Sequence, residues 1–157
     1  MTFTGQSTWL RPVTDSQHYP SGWPNGIDMS ISASQYRPAP GSSALGALSA
    51  IDGDGNATLQ WTNGRLTSPK TGTVGITTAD RTSNLPADPS FTFTLNRSTG
   101  IFSGTFLHSD GTRPKYEGII LRTTNPIHTA AGFFLSTTPS IKDYLGRGGR
   151  ITITPQP

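Results

Sequence analysis

"FTFTLNRSTGIFSGTFLHSDGTRPKYEGIIL", residues Phe91–Leu121, alternates apolar and polar side chains with a period of two. Phe91, Phe93 and Leu95 interleave with Thr92, Thr94 and Asn96, the pattern of a strand with one buried face. "NRSTG", Asn96–Gly100, follows as a short reversal with glycine where a positive φ is wanted. "IFSGTFLH" then returns as an antiparallel partner, "SDGTRP" turns the chain again, and "KYEGIIL" supplies a third strand. Gly104 and Gly118 fall inside these strands, where glycine marks a bend, a bulge or a close backbone approach. Two such glycines on neighbouring strands predict a strongly coiled sheet, the wall of a barrel.

The same reading extends in both directions. Downstream, "AGFFLST" and "RITITP" are further strands. Upstream, so are "MTFTGQSTW", "IDMSISASQY", "NATLQW" and "TGTVGITTA", with "PAPGSSALG" as a connector. The sum is about nine short strands with turn signals at the spacing of a sandwich or barrel. The expected fold is all-β: a single antiparallel β-barrel or strongly coiled β-sandwich with little helix, forming one domain over residues 1–157. "SIKDYLG", Ser140–Gly146, is the best helical candidate, Ser140 capping and Gly146 ending it, with a loop as the equal alternative. Phe91, Phe93, Leu95, Phe102, Phe106, Ile120, Phe134 and Ile153 are the expected core.

Composition narrows the classes of function. Charged residues make up 13%, about half the usual share, and the net charge is only +3, so the chain lacks the charge that keeps lean sequences disordered. The longest basic cluster is "GRGGR", Gly146–Arg150, which is not the dense aromatic-laced stripe of a nucleic-acid binder. The absence of cysteine excludes disulfides, thiolate metal sites and a cysteine nucleophile. No run approaches the ~20 apolar residues of a membrane-spanning helix. The opening residues do not read as a signal peptide. The chain is therefore either cytosolic or the mature part of a longer precursor, and its Thr-, Gly- and aromatic-rich composition favours an extracellular domain.

With these residues in place, the chain resembles a β-domain of very large secreted or cell-surface proteins of verrucomicrobium- and planctomycete-type bacteria. The resemblance rests on Asn96–Gly100, Phe102–Phe106, Tyr116–Gly118 and Gly132–Leu135, together with "WLRP", "YPSGW" and "SQYRPAPGSSALG" near the N-terminus, and runs from Trp9 to about Thr137. "IDGDGN" and the ending "GRGGRITITPQP" depart from the family pattern. The family has no assigned catalytic or ligand residues to transfer. The resemblance implies an extracellular or cell-surface module, often in tandem with β-sandwich repeats.

Two constellations stand out as candidate sites. Trp9, Tyr19, Trp23, Tyr36 and Trp61 concentrate aromatic residues in the first half of the chain. Exposed, they would stack on sugar rings or grip a partner; buried, they would plug one end of the barrel, a reading that the neighbouring prolines favour. Asp52, Asp54 and Asn56 alternate as do the first oxygen ligands of a calcium loop, but the sixth position is Ala57 rather than glycine and the twelfth is Asn63 rather than glutamate. A polar hairpin turn is the alternative, and no other cofactor is expected. His18, His108 and His128 lack ligand spacing. Glu117 is the only glutamate and most aspartates stand in turn contexts, so no catalytic pair is evident and the chain is not expected to be an enzyme. Asn56 and Asn96 match the glycosylation acceptor pattern.

The expected function is an extracellular structural or adhesive domain that builds a fibre or surface layer through its terminal strands. The alternative is a carbohydrate- or ligand-binding module using its Trp- and Tyr-bearing loops. The expected partners are copies of itself or neighbouring extracellular domains, or a glycan. Met1–Thr8 and Arg150–Pro155 are expected at or near sheet edges, at least one of them pairing with another chain, with "GRGG" as a flexible lead; closure of the C-terminal run into its own barrel beside the first strand is the equal alternative.

Overall fold

The structure, a computed structural model, describes residues 2–15, 19–122, 128–136 and 148–156. Among the described residues every regular element is a strand: β1 (Thr2–Arg11), β2 (Trp23–Ser34), β3 (Ala57–Asn63), β4 (Lys70–Ile76), β5 (Thr82–Asn84), β6 (Phe91–Asn96), β7 (Ile101–Phe106), β8 (Lys115–Leu121), β9 (Thr129–Leu135) and β10 (Gly148–Pro155). The helical candidate at 140–146 lies outside the described residues, as does His18. β1 and β2 form an antiparallel ribbon of their own. The other eight make one antiparallel sheet in the order β5-β4-β3-β10-β9-β8-β7-β6, curled until its two edges meet. No ladder closes the seam. Side chains of β5 do so instead: Thr82 Oγ1 donates to Phe93 O at 3.1 Å, and Asn84 Nδ2 to Phe91 O at 2.8 Å. Two of the carbonyls that the edge strand β6 would offer to a neighbour are thereby occupied.

The Phe91–Leu121 meander forms as its alternation dictates. Phe91, Phe93, Phe102, Phe106, Ile120, Phe134 and Ile153 are buried and Leu95 is half-buried against them. Each such aromatic contributes about 1.5–3 kcal/mol by leaving water. The β6–β7 turn is held by Asn96 Oδ1, which accepts from the Ser98 and Thr99 amides, and Gly100 takes φ 73° at its end. Gly104 and Gly118 face inward, and aromatics occupy the space their missing side chains leave. Tyr116 lies over Gly104 and donates its hydroxyl to Thr92 O at 2.6 Å; the Phe102 ring lies over Gly118. Gly118 pairs directly with Gly132, so the walls of β8 and β9 approach closely at this point.

The C-terminal strand corrects one expectation. β10 is not at an edge: it pairs with β3 on one side and β9 on the other. Gly148 and Gly149 are not a loose lead but the first residues of that strand, and the Phe134 ring lies against Gly149 where a side chain would stand. Ile151 and Ile153 therefore bury their face inside the chain's own barrel. Thr2–Thr8 fares differently, because both strands of a two-stranded ribbon are edges.

The connector between β2 and β3 is also more than a linker. Ala44 and Leu45 are fully buried and stopper one end of the barrel, where His128 N donates to Leu45 O at 3.0 Å. Arg97, in the β6–β7 turn, clasps this segment: its guanidinium donates to Ser42 O, Ala39 O and Thr78 O and pairs with Asp80. The buried Asp80 carboxylate also accepts from Ser43 Oγ at 2.7 Å and Ala44 N at 2.8 Å.

Candidate functional site

The ribbon presents the candidate site. Directly paired residues of an antiparallel ladder share a face, so the register sorts its residues. Phe3, Gly5, Ser7 and Trp9 lie opposite Ala33, Ile31, Met29 and Ile27 on one face; Thr2, Thr4, Gln6 and Thr8 lie opposite Ser34, Ser32, Ser30 and Asp28 on the other. One face is thus apolar and the other is hydroxyl-rich, with Thr8 Oγ1 donating to Asp28 Oδ1 at 2.9 Å. In most proteins such an apolar face is covered. Here Phe3 is 61% exposed, Trp9 46% and Ile31 42%. The ribbon is tied to the barrel at its two ends. Arg122 N donates to Ser34 Oγ at 2.7 Å beside β8, and Gly148 N donates to Tyr19 Oη at 2.6 Å.

At the tip three of the five aromatic candidates come together. The Trp9 and Trp23 rings are 5.0 Å apart, Tyr19 and Trp23 5.2 Å, and the Arg11 guanidinium sits 5.7 Å above Trp23. A bulge brings them there. Trp9 pairs with Ile27 but Arg11 pairs with Trp23, so Pro24, Asn25 and Gly26 bow out opposite one residue of β1. Gly26 takes φ 80°, and a side chain there would meet Thr8 Cγ2 at 2.6 Å. Leu10 and Val13 are exposed beside this cluster.

The other two aromatics are elsewhere, and the barrel-filling alternative holds for them. Trp61 is 1% exposed, stacked on Phe106 at 5.1 Å with Phe91 and Tyr116 edge-on, and so does not serve as a ligand platform. Its indole N–H has no hydrogen-bond partner in the core. Tyr36 is half-buried against Gly100 and donates to Arg97 O at 2.7 Å; burial, with the nearby Asp80 charge, raises its pKa.

The acidic loop is likewise committed to its own backbone. Asp52 Oδ1 accepts from Asp54 N at 2.9 Å, the local bond of an Asx turn. Asn56 is buried: Nδ2 donates to Ser49 O and Ile76 O, both at 3.0 Å, and Oδ1 accepts from Ile76 N at 2.8 Å. Its side chain is turned inward and fully used, which corrects its place beside Asp52 and Asp54 as a cation ligand and its place as a glycan acceptor. Asn96 stays exposed.

His108 and His128 sit at opposite ends of the barrel. His108 Nε2 is 3.0 Å from Gly64 O and Nδ1 is 2.9 Å from Asp110 Oδ1. Arg122 Nε donates to His128 Nε2 at 3.2 Å, and burial together with the Arg122 charge lowers the His128 pKa. Among the described residues no three His, Cys, Asp or Glu side chains gather as a metal site, and no helix is long and apolar enough to cross a membrane.

These features define an all-β barrel domain carrying an amphipathic two-stranded ribbon with an aromatic tip. Comparison with known proteins finds no matching family model, no matching curated protein and no matching solved structure.

Proposed function

We propose that this is an extracellular structural or adhesive domain whose N-terminal ribbon is the contact element through which copies of it assemble. The exposed apolar face of the ribbon carries this reading. A two-stranded hairpin is marginal by itself in water, and an apolar stripe of this length on a monomer marks an interaction surface. The role foreseen for terminal strands falls to the N-terminus alone, since β10 is bonded on both sides. The resemblance to modules of large cell-surface proteins agrees with this reading and is the ground for proposing an extracellular location. Sedimentation of the whole chain and of a chain lacking residues 1–35, with negative-stain imaging, tests it. Concentration-dependent association is expected for the whole chain and not for the shortened one; equal behaviour of the two, both folded, would refute it.

The aromatic tip favours a second reading, a glycan-binding module. Trp9, Trp23 and Tyr19 offer ring faces beside the Arg11 cation, a combination suited to stacking on a sugar and bonding its hydroxyls. Titration with bacterial and plant polysaccharides, read by tryptophan fluorescence, tests it. Binding abolished by Trp23→Ala would support the module, and an unchanged spectrum with every polysaccharide would reject it.

A further inference from the structure

Apart from Ile51 and Leu107, the large apolar side chains exposed among the described residues fall into two groups. Most lie on the ribbon and its tip. Three others, Ile101, Ile119 and Phe133, form a second patch on the outer wall of the barrel. Ile101 pairs directly with Ile119, Ile119 pairs directly with Ala131, and Phe133 is two residues further along β9 on the same face. The patch therefore crosses three adjacent strands. Ile119 is 48% exposed and Phe133 61%, so the chain's own ribbon does not cover it.

We propose that the occupant of this wall is the apolar ribbon face of a second copy of the chain. The inference rests on the reading of the ribbon as a contact element and adds the surface that receives it. Four observations favour this occupant. At the barrel seam Thr82 and Asn84 already bond the Phe93 and Phe91 carbonyls of β6, which disfavours strand addition there and leaves packing face to face. From Phe3 to Trp9 the ribbon's apolar face carries no charge, and neither does the row Ile101, Ile119, Ala131; the charges of Glu117 and Arg150 flank Phe133 at the margin. Strands stand ~4.8 Å apart, so a two-stranded face and a three-stranded patch have comparable widths of roughly 10 Å. At roughly 30 Å by 10 Å the ribbon face covers about 300 Å², or about 600 Å² counted on both partners, the size of a weak, transient contact.

The two patches are different and lie at different places on one molecule. A contact of ribbon on wall is therefore heterologous: each copy receives one ribbon and gives one, and the assembly grows head to tail. Its modest area predicts reversible association that depends on concentration.

The geometry sets a complementation test. Ile31→Glu disables the ribbon and leaves the wall; Phe133→Glu disables the wall and leaves the ribbon, and Ile119→Glu repeats the wall variant. All three sites are exposed, so each variant is expected to melt with the parent. In sedimentation velocity from about 1 µM to about 500 µM, the parent is expected to form a series of oligomers. Each variant alone is expected to weaken association at least about tenfold. An equimolar mixture of Ile31→Glu and Phe133→Glu is expected to form one-to-one dimers that do not extend. If Ile31→Glu abolishes association but both wall variants associate like the parent, the ribbon reading stands and the wall is not its receptor. If Ile31→Glu associates like the parent, or the parent stays monomeric throughout, the ribbon reading itself fails and the wall proposal with it.

Discussion

Replacing Gly118 by valine puts a branched side chain where three groups already stand. An ideal Cβ at this position lies 2.2 Å from Phe102 Cζ, 2.5 Å from Ala131 O and 2.6 Å from Gly132 Cα. Two of the three are backbone atoms of the neighbouring strand, so no rotamer of valine avoids them. Either β8 and β9 separate or Phe102 leaves its site. Phe102 is fully buried, and displacing it forfeits about 1.5–3 kcal/mol of apolar burial. Overpacking of the two walls adds about 1–3 kcal/mol. The gain in strand propensity returns at most about 1 kcal/mol. The net loss is about 2–5 kcal/mol, a fall in melting temperature of about 5–20 °C for a domain of this size. Thermal and urea unfolding followed by circular dichroism measure it. A double-mutant cycle sharpens the test: because the Phe102 ring is one of the three obstacles, Gly118→Val should cost less in a Phe102→Ala background. A Gly118→Val chain that melts with the parent, or that adds independently to Phe102→Ala, would refute the reasoning.

Trp61→Ala should cost about 3–5 kcal/mol by urea titration. Trp61→Phe should cost much less than that, since losing the unpartnered indole N–H removes a buried polar group worth about 1–3 kcal/mol; equal losses for the two would show that the N–H is satisfied. Arg97→Ala should cost about 2–4 kcal/mol, less than a fully buried ion pair because a third of the Arg97 side chain meets solvent. The loss should appear as early protease cleavage within 36–50, and a parent-like digestion pattern would count against the clasp. The depressed pKa of His128 means that the unfolded chain takes up a proton at higher pH than the folded one. Its contribution to stability is therefore complete above about pH 6.5 and is lost as pH falls through the lowered folded value. Asp88, held low first by the Ser90 N–H, loses its contribution in the same direction at more acidic pH. The urea midpoint should fall between pH 7 and pH 5, and His128→Gln should flatten that slope; identical slopes would exclude His128 as its source.

The Phe91–Leu121 meander was legible because its alternation is clean and its reversals carry their own chemistry. Asn96 caps the turn and Gly100 supplies the positive φ, both local properties. The position of β10 was not legible. Ile151 and Ile153 alternate with threonines whether their strand is central or marginal, and only long-range pairing with Leu59 and Ala130 decides. β5 escaped because three residues carry no period, yet it closes the barrel. The fate of Trp61 was available in principle: Ala57, Leu59 and Trp61 fall on one face of a strand, which marks Trp61 as core rather than loop. The aromatic tip was half legible, since Trp9, Tyr19 and Trp23 do meet, but only the bulge at Pro24–Gly26 brings them together. The ribbon defeats sequence reading in the opposite sense. Ile27, Met29 and Ile31 alternate as a half-buried strand should, and nothing in the described structure covers Ile31. Asn56 was misread because a polar residue in a glycine-rich turn looks solvent-facing, whereas its amide serves two segments of backbone.

The central place of β10 orders events during synthesis. β3, β4 and β5 can pair as one meander and β6 to β9 as another while the chain is still growing, but only β10 bonds the two into one sheet. Its partners in β3 lie 86 to 98 residues earlier, among the most distant pairings in the barrel. At translation rates of about 5–20 residues per second, β3 waits roughly 5–20 s for its neighbour. Through that interval Trp61, Leu59 and Phe134 stand on half-sheets whose inner faces are open to water. The nascent chain therefore spends its most vulnerable seconds with its apolar interior exposed, and closure comes only as the 148–155 segment clears the ribosome.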